Sequence, residues 1–179
     1  MTATAPLHVE PWNPADAEDR AAVAAMVLRY HQQTESEKGS RAVELPGRYR
    51  SEAEDPAAAF AGSTVLLARG RAADRADEAA AGETSREASL GMLVLTPAIS
   101  GWHEVKRLWV QPEARGRGAA RHLLVEATHR AAADGCGLRL SVWEWRTTAI
   151  ALYERLGFGR VASWDPRAGL VCLERPADG

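Results

Sequence analysis

The chain has 179 residues, 46% hydrophobic and 26% charged, with a formal net charge of −2. That length fits one ordinary domain, and the balance of apolar to charged residues excludes a disordered chain. The slight acidic excess lacks the basic footprint of a nucleic-acid binder, and no apolar run nears the ~20 residues of a membrane helix.

Leu7 to Trp12 alternates apolar and polar residues and reads as a strand. Asn13-Pro14 then opens a helix whose Val23, Met26, Val27 and Tyr30 recur at spacings of three and four. Residues 34–55 are polar and broken by Gly39, Pro46 and Gly47, the pattern of a loop with a short helical turn. Thr64 to Ala68 is a short apolar strand. Arg69 to Glu87, built of Ala, Asp, Glu, Arg and Gly, reads as a mobile connection between strands or as an extra helical turn. Leu90 to Thr96 and Glu104 to Val110 form a hairpin about the turn Pro97 to Gly101.

Gln111 to Gly116 turns into a helix with an apolar stripe of Ala120, Leu123, Leu124, Ala127 and Ala131, stopped by Asp134-Gly135. Leu138, Leu140 and Val142 make the next strand, so the intervening helix implies a parallel crossover. Ala149, Leu152, Tyr153 and Leu156 mark a last helix closed by Gly157. Short strands near Val161 to Trp164 and Leu170 to Leu173 complete a mixed sheet. No internal repeat and no second domain is evident, so residues 1–179 are read as one domain. Met1 to Pro6 lacks the basic start and apolar stretch of a secretory signal, and a cytoplasmic protein is expected. Cys136 and Cys172 form no CxxC pair and sit in apolar surroundings, which suggests reduced core thiols.

Charge is unevenly spread. Arg residues cluster from Arg107 to Arg121, while acidic residues are dense from Glu35 to Asp55. The run Arg115-Gly116-Arg117-Gly118-Ala119-Ala120-Arg121 follows a strand and begins a helix. Helix N-termini offer unpaired N–H groups and a positive dipole end, glycines admit an anion close to the backbone, and the arginines add charge. The small Ala119 and Ala120 keep the groove shallow. A dinucleotide finger starting at Gly116 fails because its sixth position is Arg121, and a P-loop fails for want of Gly-Lys-Ser/Thr. A pyrophosphate on a helix N-terminus remains.

This segment resembles motif A of the GCN5-related N-acetyltransferase (GNAT) superfamily, Gln/Arg-x-x-Gly-x-Gly/Ala, through Arg115, Gly118 and Ala120. Glu104 to Val110 is similar to the family's fourth strand, and Ala149 to Phe158, ending in Leu-Gly-Phe, to its motif B. The resemblance covers roughly residues 64–164; the N-terminal third fits in element order only. It implies an α/β (α+β) GNAT fold: a mixed twisted central sheet of six to seven strands flanked by about four helices.

The implied activity is transfer of an acetyl group from acetyl-CoA to a primary amine of a small molecule, with no metal. A protein or peptide acceptor, or a non-catalytic acyl-CoA-binding module, are the alternatives. The implied partner is the amine acceptor, with no nucleic acid and no membrane, acting on a monomer or homodimer. By the same resemblance, Leu108, Trp109 and Val110 hold the coenzyme's pantetheine arm, the Val110 N–H polarising the thioester carbonyl. Arg115, Gly116, Arg117, Gly118, Ala119, Ala120 and Arg121 hold its pyrophosphate. Glu104 matches a general base, with His103 as its rival and a salt bridge to Arg107 as the plainer role. Tyr153 matches the tyrosine that protonates the thiolate. Arg146 stands where many members carry a pantetheine-binding Asn, so it reaches a coenzyme phosphate, the acceptor's carboxylate or solvent. Trp143 and Trp145 are read either as an aromatic wall or as packing. The acidic residues of segment 34–55, Glu44 and Glu52 among them, lie in a region that covers the acceptor side in the family, where they would attract a cationic amine.

Overall fold

The computed structural model describes residues 7–39, 45–71 and 87–177. Seven strands and five α-helices follow in the order β1 (His8–Pro11), α1 (Ala17–Glu37), α2 (Gly47–Glu54), α3 (Pro56–Ala59), β2 (Thr64–Gly70), β3 (Ala88–Leu95) and β4 (Trp102–Val110). A 3-10 turn at Pro112–Ala114 then precedes α4 (Ala119–Ala133), β5 (Gly137–Trp143), α5 (Thr147–Arg155), β6 (Gly159–Val161) and β7 (Leu170–Arg175). One mixed sheet runs β1-β2-β3-β4-β5-β7-β6. Its parallel pair is β4 with β5, in register at Trp102↔Gly137, His103↔Leu138 and Glu104↔Arg139, as the helical crossover through α4 requires.

The chain forms two compact units, drawn from Met1–Val94 with Arg107–Leu123 and from Leu95–Lys106 with Leu124–Gly179. In the first, α1 is set by Asp16, whose Oδ1 accepts from the N–H of Glu18 at 2.8 Å and of Asp19 at 3.1 Å. Val23, Met26 and Val27 then bury one helical face against Phe60, Val65, Leu67, Met92, Val94 and Trp109. Each fully buried side chain of this size stabilises by roughly 1.5–3 kcal/mol. In the second unit, Leu138, Leu140 and Val142 of β5, Ile150 and Tyr153 of α5, Phe158, and Cys172 and Leu173 of β7 are buried.

Several expectations from sequence change. Segment 34–55 is mostly helical where it is described, since α1 runs on to Glu37 and α2 fills Gly47–Glu54. The connection 69–87 begins as strand, because β2 reaches Gly70; its residues 72–86 lie outside the described residues. On α4 the buried stripe starts at Ala119 (1% exposed), with Ala120 half-buried. Cys136 is not a core thiol: it is half-buried at the turn after α4, its Sγ 3.4 Å from the Asp134 carbonyl, whereas Cys172 is buried as expected.

The β3–β4 hairpin carries an irregularity that sequence did not reveal. The Thr96 N–H donates to the Glu104 carbonyl at one end of the ladder, and the Gln111 N–H to the Leu90 carbonyl at the other. Six residues separate Leu90 from Thr96, but seven separate Glu104 from Gln111, so β4 contains one extra residue. Arg107 takes it up with φ 54, a left-handed conformation that costs an L-residue roughly 1–2 kcal/mol. The bulge inverts which face each following side chain takes, and Trp109 enters the core of the first unit. Gly91 of β3 lets β4 come close: a Cβ there would lie 2.8 Å from the Trp109 carbonyl and 3.2 Å from Val110 Cγ2.

Candidate active site

The residues from Leu108 to Arg121 are continuous within the first unit. Leu108 and Val110 are half-buried, while Trp109 sends its ring into the core and turns its carbonyl toward Gly91 of β3. After the 3-10 turn, Gly116 at φ 77 and Gly118 at φ 87 bend the chain into α4. The first bond of the helical ladder runs from the His122 N–H to the Gly118 carbonyl at 3.0 Å. The N–H groups of Gly118 to Arg121 precede it and present a donor cluster at the helix start.

The arginines around the cradle differ. Arg115 is committed to its own unit: Nε donates to the Val110 carbonyl at 3.3 Å, Nη2 to Gln33 Oε1 at 3.1 Å, and the guanidinium lies 5.2 Å over the Trp109 ring. It braces the turn against the strand. Arg117 is half-buried, and its Nη1 is buried with no hydrogen-bond partner among the described residues. Arg121 is exposed. An orphaned guanidinium nitrogen in a glycine turn matches the needs of a phosphate.

Glu104, His103, Arg146 and Tyr153 belong to the second unit. Glu104 is half-buried, and its Oε2 lies 3.5 Å from Lys106 Nζ; Arg107, the ion-pair partner weighed from sequence, binds Glu52 instead. His103 is 6% exposed, with Nδ1 2.7 Å from the Thr96 carbonyl and Nε2 2.9 Å from Asp134 Oδ2. Both nitrogens face acceptors, which leaves no lone pair directed at a substrate amine and disfavours His103 as a base. Tyr153 is 6% exposed, its ring edge-on to Phe158 at 6.0 Å. Arg146 sits at the N-cap of α5, and its N–H donates to the Trp143 carbonyl at 2.9 Å. Trp143 and Trp145 stack at 4.8 Å with planes 10° apart, so they form one aromatic slab exposed at Trp145. The Arg167 guanidinium lies 5.8 Å over Trp143 and holds the Asp165 carboxyl down to a pKa of about 2.

A polar cluster in the first unit joins α1, α2 and the bulge. Arg107 forks onto Glu52, Nε to Oε2 and Nη2 to Oε1, both at 2.7 Å. His31 of α1, 2% exposed, brings Nε2 to 2.8 Å from Glu52 Oε2 and stacks on Tyr49 at 4.2 Å. Burial pushes the Glu52 carboxyl up, but the bonds from Arg107 and His31 outweigh it and hold its pKa at about 2, against an ordinary 4.5. Glu52 is therefore an internal ion-pair partner, whereas the sequence suggested a charge that would attract a cationic amine; Glu44 lies outside the described residues.

A carboxyl whose pKa is depressed on folding stabilises above its unfolded value and loses that contribution as pH falls through its folded one. Wild type should exceed Glu52→Gln in stability by about 3 kcal/mol at neutral pH, and the gap should close between pH 4.5 and about 2. Urea unfolding of both proteins across that range measures it; a gap independent of pH would remove ionisation of Glu52 as its source.

Comparison with known proteins decides the family. The model of the acetyltransferase (GNAT) family matches residues 51–158, more than half of the sequence. The chain belongs to the GNAT family. An "IAA acetyltransferase" of Azospirillum brasilense is 38% identical over 80 residues, which is 42% of this GNAT chain and 52% of that protein. The alignment thus spans about half the length of that curated relative. Among solved structures, a GNAT-family acetyltransferase of Staphylococcus aureus Mu50 superposes with a TM-score of 0.67 at 12% identity, over 97% of this chain and all of that one. The PaiA N-acetyltransferase of Thermoplasma acidophilum, solved in complex with coenzyme A, gives 0.63 at 15% identity, over 96% and 99% of the two chains. These likenesses show a GNAT fold, with seven strands and five helices here where about four helices were expected.

The polar cluster is the part of this GNAT chain that sequence reasoning missed. Glu52 and Arg107 are 55 residues apart, and of the two only Arg107 falls in a segment quoted above for the family resemblance. The available signal was a cation bordering the apolar end of β4, Leu108-Trp109-Val110, which must find a partner when buried.

Proposed function

We propose that this GNAT protein transfers the acetyl group of acetyl-CoA to the primary amine of a small molecule. The observation that carries the reading is the cradle of Gly116 to Arg121, where helix-start N–H groups surround a glycine turn beside the partnerless Arg117 nitrogen. The pyrophosphate would accept from those groups, and the backbone of Leu108 to Val110 would hold the pantetheine arm. Arg146 would add a contact to a coenzyme phosphate.

Glu104 would take the proton of the acceptor's ammonium, directly or through water, and free its lone pair. As nitrogen attacks the thioester carbon, the Val110 N–H would donate to the oxygen on which charge builds. The C–N bond forms, the C–S bond breaks and the Tyr153 hydroxyl would protonate the departing thiolate, while the nitrogen's second proton leaves to solvent, from which Tyr153 is reprotonated. A carboxylate base must be ionised to act, so activity falls at acid pH as it protonates. Glu104→Gln should lower kcat and abolish that acid limb; a limb that persists in the variant would assign it to another group.

The deciding experiment measures free thiol release from acetyl-CoA across amines, aminoglycosides, polyamines, amino acids and peptides. Turnover confined to peptides would overturn the small-molecule acceptor. Tight acetyl-CoA binding with no acceptor turned over would favour a non-catalytic acyl-CoA-binding module.

A further inference from the structure

Resting on the acyl-transfer reading above, we propose that Glu52 is a positioning residue for that reaction, acting through Arg107 to fix the β4 bulge and so the direction of the Leu108 to Val110 backbone.

Three observations converge on this assignment. Arg107 holds φ 54 without being glycine, so something outside the strand must keep it there. Its guanidinium is gripped at both forks by one carboxylate, the geometry that fixes an arginine in direction as well as in place. The carboxylate is also contacted by His31, whose Nε2 shares Oε2 with Arg107 Nε; His31 is buried, stacked on Tyr49 at 4.2 Å and edge-on to Tyr30 at 5.3 Å. Arg107 also lies over the Tyr30 ring at 5.7 Å, so α1 contacts both ends of the pair.

The consequence lies in the next three residues. The peptide after Arg107 leads directly to Leu108, and a rotation at Arg107 would swing the N–H groups of Leu108 to Val110 together. An oxyanion donor misplaced by about 1 Å costs on the order of 100-fold in rate. Glu52 touches neither substrate nor reacting atoms in this scheme; it holds the residue that aims them. Its place on α2, in the segment expected to cover the acceptor side, ties that segment to the acyl-bearing strand through one ion pair.

The test is a double-mutant cycle in which Arg107 is replaced by glycine, the residue that adopts φ 54 without steric cost. Glu52→Gln keeps size but presents an NH2 to one guanidinium fork, which breaks the paired bonds. In the wild-type background it should lower kcat about 10-fold and weaken CoA binding by less than that, because the pyrophosphate cradle is untouched and only the backbone that holds the pantetheine arm moves. In the Arg107→Gly background the same substitution should cost less than about twofold. An equal loss in both backgrounds, or no loss in the first, overturns the inference. If Glu52→Gln does not fold alone, the comparison of Arg107→Gly with the double variant still decides it: equal rates support the lock, and a further loss overturns it.

A readout without turnover separates this inference from the reading beneath it. The backbone amide resonances of Leu108, Trp109 and Val110 should move in Glu52→Gln, and should coincide between Arg107→Gly and the double variant. Amides that stay put in Glu52→Gln overturn the lock even in an active enzyme. Displaced amides in a protein that never consumes acetyl-CoA uphold the lock and overturn acyl transfer instead.

Discussion

Gly118→Asp should raise the Kd for acetyl-CoA by at least about 100-fold while the protein stays folded. Three effects act together. Gly118 has φ 87, so any side chain there is strained by roughly 1–2 kcal/mol. A carboxylate in the cradle repels the pyrophosphate. It is also a favoured N-cap group, able to take the N–H groups of α4 that the phosphate would use. That same capping offsets part of the strain, which is why folding should survive: an added Cβ meets only the His122 ring, at 3.5 Å and 3.6 Å. Gly118→Ala isolates the backbone effect and should weaken binding far less. Calorimetry showing wild-type affinity in Gly118→Asp would dismiss the cradle as the pyrophosphate site.

Tyr153→Phe should lower kcat by about 10- to 1,000-fold with little change in coenzyme affinity, the usual range for a proton donor removed from its leaving group. The substitution is clean in packing terms. The ring stays, and with it the edge-on contact to Phe158 and the burial on α5, so only what the hydroxyl does is lost. A slower acyl donor with a good leaving group should narrow the gap between the two proteins. Turnover at the wild-type rate would leave Tyr153 as a core residue alone.

Where apolar spacing was strong, the sequence was readable. Val23, Met26 and Val27 of α1 and Leu138, Leu140 and Val142 of β5 sit in the interior at the periods that announced them. The stripe of α4 was read one residue late at its start, because Ala119 and Ala120 are chemically identical and differ only in which faces the core. Helix α2 was read as no more than a short helical turn for a physical reason. Its sequence GRYRSEAE buries Tyr49 alone, so no apolar period exists to detect. Cys136 misled because it falls at the turn between α4 and β5, where its Sγ meets the Asp134 carbonyl instead of the core.

The candidate site divided along similar lines. The glycine turn and its arginines are local chemistry and were legible residue by residue. Which arginine keeps an open nitrogen was not, since Arg115 is engaged by Gln33, 82 residues away. The charge of Glu52 counted as one more acid in a polar stretch until Arg107 and His31 were seen to enclose it. Tertiary pairing, not composition, decides whether a carboxylate faces solvent or holds a strand.

The odd residue in β4 also bears on how this sequence can change over generations. Between Glu104 and Gln111 the strand tolerates exchange of one side chain for another far better than a change of length. Deleting Lys106 would straighten the ladder and keep Trp109 opposite Met92, but it would abolish the bulge at which Arg107 turns. An added residue would need a second bulge, or it would turn Trp109 out of the interior. Variation within this family branch should therefore enter β4 by substitution, leaving gain and loss of residues to the loops.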